Sequence, residues 1–486
     1  MRMKGYGIVL VIAFGLLLSG CMVGPRYVKP TVPVTPNFAE TEEWKEGDGW
    51  KVAQPGDELI RGKWWELYGD ATLNAIEDQV DSSNQELRVA EANLRQARAA
   101  IRFNRASQAP TIGSSPSISD IRVSGNKPYF PPSSVNNGSG DFILPLDLSY
   151  EVDLWGRVRH SVAAARQQAQ ASAADLQTAR LSLHAEVAID YFEVRSADAQ
   201  ERLLNDTVKA YTEALRLTQN RFEGGASPKS DVAQAQTQLK AAQVLASDIT
   251  VQRAQYEHAL ATLIGKPPAA FHLAVSPLNL GAPVLPTIPV TLPARLLERR
   301  PDIAAAERRM ASANQQIGIA KAAYYPTLNL AASAGLEGSS ILNWLIWPSR
   351  FWAVGSQLSE TLFDAGRRRA TTESARAGYD GTVAGYRQTV LDAFQQVEDN
   401  LVVLRVLSTE SAQQQQATSA AEESLKLFQN RYAGGVDTYL QVVTSQTTAL
   451  TNERNDIDIL RRRLEANVLL IKAVGGGWNI SNLPQL

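Results

Sequence analysis

Two near-identical stretches decide the fold of this chain. Residues 217–225 read LTQNRFEGG, and residues 427–435 read LFQNRYAGG, 210 positions further on. The same offset aligns Gly156 with Gly366 and Gly265 with Gly475. Residues shared at a fixed spacing indicate that one structural unit occurs twice.

Nearer the N-terminus the offset becomes 216, since Glu91 matches Glu307 and Pro110 matches Pro326. The six-residue difference must therefore fall between Pro110 and Gly156, in a segment rich in Gly, Pro, Asn and Ser. Such residues form turns, and exposed loops tolerate insertions. We predict that this segment is a loop that is longer in the first copy.

Each copy begins with a short helical segment, residues 84–109 or 302–325, which a proline follows. Two strands come next. In the first copy a helical segment of 67 residues then runs from 157 to 223 without Gly or Pro. After the Gly-Gly pair a shorter helix follows, at residues 229–264 or 436–474. The pattern predicts a mainly α-helical, internally duplicated protein.

The helix lengths predict tall pillars. At the α-helical rise a 67-residue helix spans ~100 Å, and the two shorter helices of the first copy together nearly match it. We therefore expect them to stack end to end beside the long helix. A heptad pattern in the last helix indicates coiled-coil packing; its members are Val443, Leu450, Ile457, Leu464 and Ile471. Gly378, Gly381 and Gly385 in the second long segment indicate either close packing or a bend.

Apolar and polar residues alternate along residues 142–154 and again along residues 327–336. This period is typical of a half-buried sheet in a soluble protein, or of an outer-membrane β-barrel. Tyr129, Phe130 and the cluster between Trp344 and Trp352 fit an aromatic belt, and with the export signal described below we favour the barrel. Four strands cannot close a barrel. Two copies would supply eight strands and three would supply twelve, and a transport duct needs the wider option.

The N-terminus has the layout of a secretory signal. Arg2 and Lys4 precede a short apolar core, and small residues then lead to Cys21. We interpret residues 1–20 as a lipoprotein signal peptide and Cys21 as the lipidated residue; the alternative is a plain signal peptide with an incidental cysteine. No later apolar run reaches 18 residues, so any membrane crossing must use strands.

Composition and motifs exclude several classes of protein. The net charge of −2 and the lack of a basic cluster argue against nucleic acid as a partner. Phosphate loops, nucleophile elbows and zinc-protease motifs are missing, and the four histidines lack ligand spacing. We therefore expect no enzyme activity, no metal site and no cofactor besides the lipid on Cys21.

Several motifs resemble those of the outer membrane factor (TolC-like) family, in particular its lipoprotein branch that works with RND-type efflux pumps. They are CMVGPRYVKP at residues 21–30, WWELYGD at 64–70, RPDI at 300–303 and LFDAGRR at 362–368, together with the paired tips. The resemblance covers essentially the whole mature chain.

The resemblance implies a homotrimer with a twelve-stranded outer-membrane β-barrel and a coiled-coil α-helical barrel in the periplasm. It also implies an equatorial region built from the segments between the helices. On this basis we divide the chain into a signal peptide (1–20), an extended and equatorial segment (21–82), the first repeat (83–264), an equatorial linker (265–300), the second repeat (301–474) and a tail (475–486).

The implied function is the exit duct of a tripartite efflux pump, which passively conducts drugs or other small solutes. Its partners would be a periplasmic adaptor, an inner-membrane RND transporter and outer-membrane lipid. Two alternatives remain at this point: an outer-membrane channel for type I protein secretion, and a non-conducting structural envelope lipoprotein. The lipid anchor favours efflux over secretion, and the amphipathic strands argue against a spacer.

The resemblance also implies that the two tips contact the adaptor. The residues are Arg221, Phe222, Gly224, Gly225, Arg431, Tyr432, Gly434 and Gly435. The simpler reading is a helix C-cap, in which glycine supplies the left-handed backbone.

We expect the gate just after the second tip, in residues 436–444. Leu440 is the candidate for an apolar constriction, unless it merely packs in the coiled coil. Many relatives carry acidic residues at the positions of Gln441 or Thr444, which are both uncharged here. We keep Gln441 and Thr444 among the gate residues, and Asp437 or Asp231 is the candidate for a charged ring instead.

Overall fold

The computed structural model describes residues 22–40, 50–52, 62–122, 124, 126, 128, 138–279, 285–290 and 293–485. The predicted signal peptide, Cys21, Tyr129 and Phe130 lie outside the described residues. No helix in the described ranges has the long apolar stretch that a membrane-spanning helix needs.

The first copy contains four helices: α1 (Ala71–Ser83), α2 (Gln85–Ala106), α3 (Arg157–Glu223) and α4 (Lys229–Leu263). The second contains α5 (Pro293–Arg299), α6 (Pro301–Ala322), α8 (Arg367–Ala433) and α9 (Tyr439–Ala473), with the short α7 (Ile341–Trp344) in a loop. The two long helices have 67 residues each, so the duplication and the bounds of the first long helix are confirmed.

The remaining helix bounds differ slightly from the sequence prediction. Helices α2 and α6 end three residues early, because a turn separates each of them from the proline that follows. Helix α9 begins at Tyr439 rather than Val436, because the tip turn occupies the intervening residues. Sequence analysis did not predict α1, α5 or the 3₁₀ turn Trp64–Tyr68.

The short helices do stack beside the long ones. Both α2 and α4 pack on α3. They meet at one joint, where the Asn84 amide donates to the Leu263 carbonyl (2.7 Å) and Gly265 lies against Ser83. The second copy repeats the joint: Arg300 donates to the Ala473 carbonyl (3.0 Å) beside Gly475.

The helices form one layer with α3 in its middle. The main contacts run α2–α3–α6–α8 toward the sheet and α4–α3–α9–α8 toward the tips. Among the described helices, α2 and α4 therefore lie at one edge of the layer and α8 lies at the other.

Strands β2 (Thr111–Gly113), β3 (Ser117–Ile121), β4 (Ser139–Val152), β6 (Thr327–Gly338) and β7 (Arg350–Ser359) form an antiparallel sheet. Both β2 and β3 pair with β4, so they are two parts of one interrupted strand. Among the residues that the structure describes, the sheet therefore has four positions, as predicted, and its edges at β2/β3 and β7 have no further strand beside them. A second small parallel sheet joins β1 (Trp50–Val52) to β5 (Ile288–Val290).

The register gathers the apolar side chains on one face of the large sheet. Leu148 lies beside Ala332, which lies beside Val354 on the next strand. The opposite face carries most of the polar side chains, and there the Ser333 hydroxyl donates to Asp147 (2.6 Å). The predicted amphipathic sheet is thus present across all four positions.

Candidate functional site at the helical tips

Both long helices end in the same glycine turn. In the first tip the Ala226 N–H donates to the Arg221 carbonyl (2.7 Å), and in the second the Val436 N–H donates to the Arg431 carbonyl (2.9 Å). Gly225 and Gly435 have φ values of 75° and 74°. These bonds and dihedrals are those of a glycine C-cap, so the capping role predicted for these glycines is confirmed.

The two tip arginines, which are equivalent in sequence, make different contacts. Arg221 reaches across to the second tip, where its Nη1 donates to the carbonyls of Tyr432 (3.0 Å) and Ala433 (3.2 Å). Its guanidinium also lies 4.6 Å from the centre of the Tyr432 ring. Arg431 instead forms an ion pair with Asp437 across its own turn.

The two tip aromatics also differ. Phe222 is 42% exposed. Tyr432 is half-buried and contacts the ring of Tyr439 at 5.2 Å between centroids. Tyr439 is buried in a small cluster with Ala235 of α4. The first tip therefore presents its aromatic to solvent, whereas the second packs its aromatic into the hairpin.

Leu440 points away from this cluster. Its side chain is 54% exposed, although the neighbouring Tyr439 and Val442 are buried. Within one chain Leu440 therefore does not pack in the coiled coil. Gln441 and Thr444 are exposed on the same segment, and the Thr444 hydroxyl donates to the Leu440 carbonyl (3.0 Å).

The described N-terminus lies at the other end of the molecule. The Val23 N–H donates to the Trp155 carbonyl (3.1 Å), and Met22 contacts Gly156, at the point where β4 gives way to α3. The chain then runs along α6 and α8, where the Tyr27 hydroxyl donates to Glu307 (2.6 Å) and Arg405 pairs with Glu40 (2.7 Å). We call residues 22–40 the N-terminal strap.

Sequence analysis missed a buried polar pair at the equator. Glu77 of α1 is fully buried, and its Oε2 lies within hydrogen-bond distance (2.7 Å) of Nδ1 of His184, whose ring stacks on Trp65. Burial raises the pKa of Glu77 to about 7. Trp65 belongs to the WWELYGD motif, which the sequence did show. Nothing in the sequence links this motif to a histidine more than a hundred residues away.

No cluster of potential ligands for a metal ion is found among the residues that the structure describes.

Comparison with known proteins matches this architecture to one family. The sequence profile described as outer membrane efflux protein matches residues 77–266 and 292–476. The two matched segments include both repeats and both tips.

Several curated relatives are similar over nearly their whole length. The solvent efflux pump outer membrane protein SrpC of Pseudomonas putida is 31% identical over 96% of this chain and 97% of its own. Outer membrane protein OprJ of Pseudomonas aeruginosa is 31% identical over 99% of this chain and 97% of its own.

Solved structures give the same result. The outer-membrane channel OprN superposes with a TM-score of 0.86 at 27% identity, covering 94% of this chain and all of that one. The open state of the MtrE outer membrane channel of Neisseria gonorrhoeae gives a TM-score of 0.82 at 27% identity, covering 95% and 99% of the two chains.

Proposed function

The chain belongs to the outer membrane efflux protein family, and from that premise we propose how it assembles and where it is gated. As a member it resides in the outer membrane and serves as the exit duct of an efflux pump. We propose that three copies form the duct and that it conducts drugs or other small solutes passively. A periplasmic adaptor and an inner-membrane RND transporter would supply the contacts and the energy.

The proposal of a trimer rests on the exposed edges of the helical layer and of the large sheet in the single chain. The helical layer ends in α8 on one side and in α2 and α4 on the other, and the sheet ends in β7 and β2/β3. An edge that binds the opposite edge of an identical copy generates a closed ring. Three copies would supply twelve strand positions, enough for a barrel with an open interior.

The outer face of α8 supports this closure. At 100° per residue, Gly381 and Val406 lie opposite the buried side of the helix, and Gly378 lies on the flank between the two sides. A side chain added at either glycine would meet nothing within 4 Å in the chain, and Val406 is 48% exposed. Of the two readings of these glycines, we adopt close packing, with the next copy as the neighbour.

The position of the N-terminal strap supports lipidation of Cys21. Met22 lies where the sheet meets the helices, which in a barrel that spans the outer membrane is the periplasmic boundary of the bilayer. Acyl chains on the preceding residue would enter the inner leaflet beside the barrel, and more than one chain gives firm anchoring.

The tips are proposed as the adaptor contact, as the sequence indicated. Phe222 and Val436 (68% exposed) offer apolar surface at the end of the pillar, and Glu223 and Lys229 add charge beside it. Exposed aromatic groups are typical anchors of protein interfaces. Gly224, Gly225, Gly434 and Gly435 shape this surface by allowing the tight turns.

Leu440 is proposed as the gate because it is an exposed apolar residue in the first turn of α9, whereas Val436, which is also exposed, lies in the tip turn before that helix. In a trimer it would occur three times around one axis, and an apolar ring can block ions by excluding water. Asp437 is held by Arg431, and Gln441 and Thr444 are uncharged, so Leu440 is the better candidate for the constriction.

Single-channel recording in a planar bilayer tests this function. Wild-type protein should give small or flickering currents, and Leu440→Ser should give larger or longer openings, because a polar residue removes the apolar barrier. Leu427→Ser, at an exposed position of α8 before the tip (55% exposed), is the matched control and should behave like wild type. Equal currents in all three proteins would contradict the gate at Leu440.

A further inference from the structure

The arginine of the first tip contacts the second tip, whereas the equivalent arginine of the second tip forms an ion pair across its own turn. Arg221 donates to two carbonyls in the last turn of α8, those of Tyr432 and Ala433. Carbonyls in the last turn of a helix lack intrahelical partners and lie at the negative end of its dipole. The Tyr432 carbonyl also accepts from the Gly435 N–H of its own turn (3.0 Å), so the guanidinium adds a charged donor to that carbonyl and to Ala433, and it covers the Tyr432 ring.

A single sequence difference explains why Arg221 crosses and Arg431 does not. Asp437 lies six residues after Arg431 and pairs with it. The equivalent residue of the first copy is Ser227, which carries no charge. Arg221 therefore lacks the counterpart of the carboxylate that pairs with Arg431, and it donates to the neighbouring helix end instead.

The contacts of Arg221 continue toward the gate. The Tyr432 ring that it covers lies 5.2 Å from the ring of Tyr439, and Leu440 is the next residue. Tyr439 is 2% exposed and packs with Val442 and with Ala235 of α4. A shift of Tyr432 would displace Tyr439, and with it the start of α9 that carries Leu440.

We propose that Arg221 is a positioning residue for the gate. By fixing the end of α8 against the first tip, it keeps Tyr432 on Tyr439 and so keeps Leu440 in its constricting position. This inference rests on the proposed gate at Leu440. It assigns the two equivalent arginines different roles: Arg221 couples the two hairpins, whereas Arg431 stabilises its own turn.

The test compares Arg221→Gln with Arg431→Gln by single-channel recording of the full-length protein in a planar bilayer without an adaptor. Arg221→Gln should raise the open probability about tenfold, the size expected when a charged hydrogen bond to the closed state is lost. Arg431→Gln should change it less than about twofold, as for an exposed ion pair. Arg221→Lys should be intermediate, because lysine keeps the charge and loses the planar fork.

A double variant separates a positioning role from an independent one. In a channel already opened by Leu440→Ser, adding Arg221→Gln should have no further effect, because both changes act on one constriction. Native mass and melting temperature, measured on each variant, should match those of the wild type.

Four results would overturn the proposal. They are a wild-type open probability in Arg221→Gln, equal effects of the two arginine changes, multiplicative effects in the double variant, and loss of assembly in Arg221→Gln. If Leu440→Ser itself leaves the current unchanged, the gate is wrong and this inference falls with it. If Leu440→Ser raises the current but Arg221→Gln leaves the open probability unchanged, the role of Arg221 is rejected and the gate at Leu440 is kept.

Discussion

The two long helices have the same length and equivalent ends, yet they occupy different environments. Helix α3 is in the middle of the layer and buries residues along most of its length, including Val187, Tyr191 and Leu204. Helix α8 lies at the edge and buries one stripe, which includes Tyr386, Val390 and Leu401. The copy that is surrounded within the chain completes the core, and the copy at the edge keeps its other face exposed.

The same contrast appears at the equator. The first copy buries Glu77 against His184, whereas the equivalent positions of the second copy are Pro293 and Phe394. Phe394 packs edge-on against Phe38 of the N-terminal strap. One copy thus has a titratable joint and the other an apolar one, although the backbone plan is shared.

An aspartate placed in each of the two long helices should have the largest effects, and these should differ between α3 and α8. Val187 is fully buried in α3, and Val187→Asp should destabilise the chain by about 4 kcal/mol or more, because an unpaired carboxylate is then buried. Val406→Asp on α8 should leave the helical circular dichroism intact and abolish the trimer in native mass spectrometry. Unfolding of both variants would contradict the assignment of α8 as an edge.

Glycine replacements sharpen the comparison. A side chain at Gly318 of α6 would meet the His160 ring at 2.5 Å, so Gly318→Val should destabilise the protein by about 3 kcal/mol through overpacking. The matched Gly381→Val on the free face of α8 meets nothing in its own chain. It should lower trimer stability without lowering the stability of the folded chain, as denaturant titration and native mass would show.

The smallest expected effect is the pH dependence that Glu77 of the first copy contributes to stability. Since burial raises the pKa of Glu77 to about 7, the folded chain binds this proton more tightly than the unfolded chain. The resulting stability is fully present at low pH and is lost as the pH rises through 7. Between pH 5 and pH 7 the loss should be on the order of 2 kcal/mol.

Glu77→Gln tests this dependence, because its amide stays neutral throughout. The free energy of unfolding of the variant should fall less than that of the wild type over the same pH range. Parallel curves for the two proteins would show that Glu77 does not titrate in the folded state.

Sequence reasoning recovered the helices and the repeat because long runs without Gly or Pro and a strict offset are local signals. It predicted the first and last residues of α3 correctly, and it located the capping glycines of both tips. The alternation along β4 and β6 likewise predicted which side chains share a face. These features depend on near neighbours in the chain, where period and propensity are sufficient.

The features it missed join residues that are far apart in the chain. The pair Glu77–His184 and the path of the N-terminal strap over α8 have no periodic signature. Arg221 and Arg431 make different contacts partly because of Asp437, which is visible in the sequence. The contacts also depend on how closely the two hairpins approach each other, which is not. The adaptor contact at the tips, the gate at Leu440 and the lipid on Cys21 stay predictions.

The central claim is that the free edges of one chain are closed by identical copies. Native mass spectrometry of the wild-type protein, purified from outer membranes in mild detergent, tests it most directly. The account predicts that the main species contains three chains. A main species of one or two chains would contradict it, because neither provides the twelve strand positions of a duct.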